Sequence, residues 1–205
     1  MKYLLVLLFS INTAFAGCLN LYPYNKPIKI EGTTEYCNSF YVSLYNEDTK
    51  SLILTSEILK PNGHGVERSN IFRVDQRSKS KVNTGDYSNS GYDRGHMVPA
   101  GDSTTDKEMR DTFLMTNITP QEPKLNRLSW KVMEEEVRKR VQDSGKPKHV
   151  VTGAIYKTNT EMNGIPVPSA YYKIVYFKKP LVYYAENKPL AKTEMISIEK
   201  LQMLK

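Results

Sequence analysis

Residues 126–142 read Asn126-Arg-Leu-Ser-Trp130-Lys-Val-Met133-Glu134-Glu-Glu-Val137-Arg138-Lys-Arg-Val141-Gln142, the clearest periodic stretch in the chain. Trp130, Met133, Val137 and Val141 recur at the spacing of one face of an α-helix. Gly145 and Pro147 then stop it. Glu135–Lys139 and Glu136–Arg140 form i,i+4 pairs on its wet side. Outward from this helix the pattern changes. Phe40–Tyr45 and Ser51–Leu59 read as strands joined by the turn-like Asn46-Glu47-Asp48. His149–Ile155, Tyr171–Phe177 and Leu181–Tyr184 are apolar runs of strand length. Thr105-x-x-Glu108 reads as a capping box opening a short helix to about Phe113. Pro61-Asn62-Gly63 breaks the pattern, and residues 17–36 and 76–91 read as turn-rich or loop segments. Strands and helices mix without regular alternation. That predicts an α+β fold with a central, largely antiparallel sheet flanked by helices, rather than a doubly wound one.

The 205 residues suit one domain with its own core, or at most two small ones. Hydrophobic content of 40% and charged content of 25% are ordinary for a soluble globular chain. A mean hydropathy of −0.51 gives no sign of a multi-span membrane protein. The formal charge of +7 favours acidic partners such as nucleic acid, anionic lipid or acidic glycans.

Residues 1–16 read as a signal peptide, leaving 17–205 as the single folded domain. Lys2 is the positive start, Tyr3–Phe9 the apolar run, and Ala14-Phe15-Ala16 the cleavage site before Gly17. The run is too short to span a bilayer. Losing Lys2 lowers the formal charge from +7 to +6. Secretion or periplasmic export is therefore expected. The alternative is a lipoprotein site at Ala16-Gly17-Cys18, with Cys18 acylated. In an oxidising compartment Cys18 and Cys37 are expected to form a structural disulfide, contributing on the order of 3 kcal/mol.

Hydrolysis of a phosphodiester needs a base for water, a divalent cation and positive charge for the transition state. Gly91-Tyr92-Asp93-Arg94-Gly95-His96 offers a histidine beside an arginine and an aspartate. Alone it is a weak signal. Asn126, Trp130, Glu134 and Arg138 strengthen it, because steps of four place them on one helical stripe. An amide oxygen, a carboxylate and a guanidinium on one stripe suit a hydrated hard cation plus a phosphate. The alternative reading is a Glu134–Arg138 i,i+4 salt bridge, with Asn126 as the helix cap. His64 and His149 have no supporting motif and read as structural.

Five blocks in order resemble the sugar-non-specific DNA/RNA endonucleases of the ββα-metal (His-Me finger), endonuclease G-like class. They are Ser90-Gly-Tyr-Asp-Arg-Gly-His96 and Asp111-Thr-Phe-Leu-Met-Thr-Asn-Ile-Thr-Pro-Gln121; Leu125-Asn126 with Trp130, Glu134 and Arg138; Val151-Thr-Gly153; and Val167-Pro-Ser-Ala-Tyr-Tyr-Lys173. The resemblance implies a ββα-metal motif in which His96 takes a proton from the attacking water. It implies Asn126 as the direct metal ligand and Glu134 reaching the metal through water. Arg68 would neutralise the phosphate, with Arg73 a competing candidate. Arg94 and Arg138 would bind flanking phosphates or brace the site, while Asp93 and Asn117 orient the His96 loop. The implied cofactor is Mg²⁺, with Mn²⁺ possible, and the implied partners are DNA and RNA, cut to 5′-phosphate and 3′-hydroxyl ends. A catalytically weak nucleic-acid-binding protein on the same fold is the runner-up; an envelope interaction protein is the third reading. The chain is compact beside longer members, which continue past the segment resembling Ile196-Ser-Ile-Glu199, so a peripheral element is expected to be missing. No membrane span is expected; an inhibitor protein is left open, as are monomer and homodimer.

Overall fold

A computed structural model of the chain describes residues 18–61 and 66–204. The signal-peptide reading, His64 and the Asn62-Gly63 part of the Pro61-Asn62-Gly63 pattern breaker fall outside those residues. Among them, no helix is long and apolar enough to cross a membrane.

The apolar runs assemble as one seven-stranded sheet. Its strands are β1 (Thr34–Cys37), β2 (Tyr41–Asn46), β3 (Ser51–Leu59), β6 (Lys148–Ile155), β9 (Ala170–Val175), β10 (Leu181–Glu186) and β11 (Glu194–Ile196), in the order β1-β2-β3-β6-β9-β10-β11. Every neighbouring pair is antiparallel. Two further antiparallel pairs lie outside it, β4 (Asp93–His96) with β5 (Ile118–Gln121), and β7 (Glu161–Met162) with β8 (Ile165–Pro166). The α+β architecture is the expected one.

Alternation divides the sheet's residues between two layers. Val150, Ala154, Tyr171, Val175 and Tyr183 face Met97, Trp130, Met133, Val137 and Val141. This layer seats the long helix and the β4–β5 pair. Val151, Ile155, Tyr172, Ile174 and Val182 face the other way, against Leu201 of α3 (Ile198–Leu204). The edge strand β1 and the terminal β11 and α3 are too short and too polar on one side to show in the sequence pattern.

The long helix departs from the expected single α-helix. Leu125–Trp130 is a π-helical segment, followed by α2 (Lys131–Ser144). Leu125 and Trp130 are both fully buried. In an α-helix, residues five apart point about 140° away from each other. An i→i+5 turn brings both to the core side. Gly145 ends α2 in the left-handed region at φ 61°, as its position after the periodic stretch predicts. Arg140 pairs with Glu136 as expected, but Lys139 pairs with Asp143 and Glu135 with Lys131.

In α1 (Asp106–Thr112) the Thr105 hydroxyl accepts from the Glu108 backbone N–H, which is half of the expected capping box. The Glu108 carboxylate instead accepts from the backbone and hydroxyl of Thr104 and from Lys60. Cys18 and Cys37 form a disulfide, with Cα atoms 5.8 Å apart. The bridge ties the N-terminal arm to β1. His149 joins this anchorage, with Nε2 3.0 Å from the Asn20 carbonyl, and is structural.

Candidate active site

Asp93-Arg94-Gly95-His96 forms β4, in register with β5 so that Asp93 faces Gln121 and His96 faces Ile118. Gly95 is there for space, since a Cβ would lie 2.5 Å from that of Gln121. The chain beyond His96 is gripped by Asn117, which is fully buried. Its Oδ1 accepts from Val98 N at 3.0 Å, and its Nδ2 donates to the carbonyls of Val98 and Thr112 at 2.9 Å. Asn117 therefore braces the segment carrying His96.

The His96 ring packs edge-on against Phe113 at 4.8 Å and beside Phe72 at 5.4 Å. Nε2 is buried without a hydrogen-bond partner, and the histidine lines the cleft. Burial, with the nearby Arg68 guanidinium, pushes the imidazole pKa down to about 3. The ring is thus in the unprotonated form that a proton acceptor needs, and the same lowering makes it a weaker base. The same two phenylalanines carry arginines. Arg94 lies 4.5 Å from the Phe72 centroid and Arg68 5.1 Å from that of Phe113.

Asp93 points to the start of the helix rather than to the His96 loop, where the sequence reading placed it. Asn126 Nδ2 donates to Asp93 Oδ2 at 2.8 Å, and Arg127 Nε donates to the same oxygen at 2.8 Å. Since the Asn126 amide nitrogen is engaged, its carbonyl oxygen is the end left for the cleft.

Arg68, Arg94, His96, Asn126, Glu134 and Arg138 all line one open cleft of about 500 Å³. Trp130, which shares their four-residue spacing, does not; it is buried against Tyr171. Burial pushes the Glu134 carboxyl up to about 7 against the opposing pull of Lys173; Asp102 adds to the rise. The Glu134–Arg138 bridge is not made. Arg138 donates to buried Asp102 at 2.8 Å. Of the two upstream arginines, Arg68 reaches the cleft. Arg73 donates to the Arg110 carbonyl at 2.6 Å and bridges to Leu114.

Arg127 and Lys131 also line the cleft, and the sequence reading missed both. Their signal was a second basic i,i+4 stripe beside the one that was read. Phe72, Phe113 and Asp102 were missed as well, because only tertiary packing brings them here.

The donor set suits a hydrated hard cation. Asn126 offers a neutral oxygen fixed by Asp93, Glu134 a carboxylate, and the cleft has room for water. Among the described residues the one close cluster of His, Cys, Asp and Glu is Cys18, Glu35 and Cys37, whose sulfurs are tied in the disulfide.

The model of the DNA/RNA non-specific endonuclease family matches residues 23–202. A nuclease of Nostoc sp. is 39% identical over 115 residues, covering 54% of this chain and 42% of that one. Mitochondrial endonuclease G of Homo sapiens is 30% identical over 154 residues, 66% of this chain and 52% of that one. The chain spans about half the length of these curated relatives. In structure it resembles EndoG in an EndoG/EndoGI complex, with a TM-score of 0.74, 24% identity, and coverage of 83% of this chain and 82% of that chain.

Proposed function

The chain belongs to the DNA/RNA non-specific endonuclease family, and on that premise we propose that it hydrolyses phosphodiester bonds of DNA and RNA at the His96–Asn126 cleft with the help of a divalent cation. One observation carries the reading. A neutral histidine and an asparagine whose amide nitrogen is tied to Asp93 open on the same basic cleft.

His96 takes the proton from a water that attacks phosphorus as the bond to the 3′ oxygen breaks, and the departing 3′ oxygen takes a proton from solvent. The products then carry 5′-phosphate and 3′-hydroxyl ends. No 2′-hydroxyl takes part, so DNA and RNA are both substrates. Arg68 and Arg94, held on Phe113 and Phe72, present fixed positive charge to the phosphate. Asn126, with Glu134 acting through water, would hold Mg²⁺ or Mn²⁺. When bound, that cation supplies charge neutralisation at the phosphate and the leaving oxygen. Arg127 and Lys131 extend the basic lining along the rim. Contacts to phosphates alone bind without strong sequence preference. The Cys18–Cys37 bridge supports work in an oxidising compartment after export.

Incubation of the purified protein with plasmid and with RNA, in Mg²⁺ or in EDTA, tests this reading. Cleavage of both nucleic acids is expected in Mg²⁺ and is lost in EDTA or in His96→Ala. Cutting that survives EDTA, or full activity without the histidine, overturns it.

A further inference from the structure

Beneath the cleft, the layer of the sheet that seats α2 contains a polar island. Lys173 stands on β9, fifth of the seven strands, and is 1% exposed. Its Nζ donates to Thr152 Oγ1 at 2.7 Å and to the Met97 carbonyl at 3.4 Å. Glu57 on β3 is fully buried, with one carboxylate oxygen 4.0 Å from that ammonium. Neither Glu57 oxygen has a hydrogen-bond partner, nor has the buried hydroxyl of neighbouring Thr55. Across the sheet the row through Lys173 is polar, with Ser43, Thr55 and Thr152 in register, while Val150, Tyr171 and Val175 on the flanking positions of the same layer are apolar.

A buried ammonium and carboxylate are costly to take out of water, and an apolar pair of the same volume commonly leaves stability equal or higher. Folding therefore does not account for Lys173. Its contact with the Met97 carbonyl does offer an account, because Met97 is the residue after His96 and its amide is already tied to the Asn117 carbonyl at 3.0 Å. Asn117 holds this segment from one side, and Lys173 reaches its carbonyl from the sheet below. Glu57 in turn lies in the field of Asp102, Glu134 and Arg138, so the island is electrostatically continuous with the cleft.

We propose that Lys173, steadied by Thr152 and Glu57, is a positioning residue that fixes the His96 imidazole for proton transfer by gripping the Met97 carbonyl. The proposal rests on the nuclease reading above. Lys173 never touches the nucleic acid, so its removal acts on the chemical step and leaves binding intact.

The deciding variant is the double change Glu57→Leu with Lys173→Met, which removes both buried charges while keeping volume. Its kcat on a single-stranded DNA substrate is expected to fall about 10- to 100-fold, the cost of a small misplacement of a reacting group, with KM unchanged. The ¹⁵N imidazole resonances of His96, assigned by their loss in His96→Ala, are expected to shift, and thermal melting to stay cooperative. A folded double variant with wild-type kcat, or with unmoved His96 resonances, overturns the proposal. Should the double variant not fold, Lys173→Arg decides by the same two readings, since it keeps the charge and displaces the donor. The resonance shift is read without any substrate. If the wild type does not cut nucleic acid but the shift is seen, the nuclease reading fails and the positioning contact stands.

Discussion

Asp93 Oδ2 accepts a 2.8 Å hydrogen bond from Asn126 Nδ2, so the strand that ends in His96 also sets the amide that opens the helix. The two halves of the candidate site are thereby fixed to each other across 33 residues of chain. An amide is nearly symmetric in shape, and only a partner for its nitrogen decides which end faces the cleft.

Removing that partner has a definite consequence. Asp93→Ala frees the Asn126 amide to turn. If Asn126 holds the cation as proposed, cleavage falls about 10- to 100-fold, the usual effect of losing a group that orients a metal ligand. The Mg²⁺ concentration for half-maximal activity is expected to rise as well. A titration of activity against Mg²⁺ checks both, and an unchanged midpoint would show that Asp93 does not orient Asn126.

The two upstream arginines separate cleanly. Arg68 lies on Phe113 and lines the cleft, whereas Arg73 is occupied by the Arg110 carbonyl. Arg68→Ala is expected to lower kcat by about 10²–10³-fold, the effect of removing one fixed donor to developing charge. Arg73→Ala is expected to leave kcat near wild type and lower the melting temperature by a few degrees. Steady-state kinetics beside thermal melting distinguish them; equal losses of kcat would return Arg73 to the site.

The sheet was legible because β2, β3, β6, β9 and β10 are strongly apolar or alternating. Strands β4 and β5 were not. Asp-Arg-Gly-His and Ile-Thr-Pro-Gln lack a strand pattern, and only mutual pairing under α2 makes them strands. The π-helical turn was hidden for a different reason: Leu125 and Trp130 are ordinary helix residues, and the demand that both be buried widens the turn. In the site, residues with their own chemistry stood out as motifs. Asp102 and Phe72 did not, and Phe113 and Lys173 lay inside the quoted blocks with no role read for them, since each acquires its place only through a neighbour distant in sequence.

Histidine burial also predicts a pH signature. Folded His96 titrates at about 3, below the value near 6.5 of a free imidazole. The unfolded chain therefore takes up the proton first as pH falls. Stability from this group is full above about 6.5 and is lost as pH falls toward 3. Glu134 has the opposite sign. Its native carboxyl titrates near 7, above the ordinary 4.5, so it favours the folded state as pH falls from 7 to 4.5. In EDTA, His96→Gln is expected to lose less stability than wild type between pH 6.5 and 3. The difference should be at least about 3 °C, equivalent to roughly 1 kcal/mol in a domain of this size. Glu134→Gln is expected to remove the gain between pH 7 and 4.5. Melting curves across pH check both, and identical profiles for wild type and His96→Gln would show that His96 titrates normally.

Arg127 and Lys131 test how the cleft holds its polymer. Both are exposed, both line the cleft, and neither approaches the phosphate by way of an aromatic ring as Arg68 and Arg94 do. On the proposed function they would meet phosphates on either side of the scissile one. Arg127 is partly neutralised by Asp93, whereas no ion pair shorter than 3.7 Å restrains Lys131. Neutralising a phosphate contact weakens binding across all sequences and flattens the dependence of log K on log salt by about one unit per contact. Lys131→Ala is expected to show that full change, and Arg127→Ala a smaller one, because substrate must compete with Asp93 for the guanidinium. Fluorescence anisotropy of labelled single-stranded DNA on the His96→Ala background, over a salt series, measures the slopes without turnover. Slopes equal to the parent's in both variants would place the polymer elsewhere on the surface.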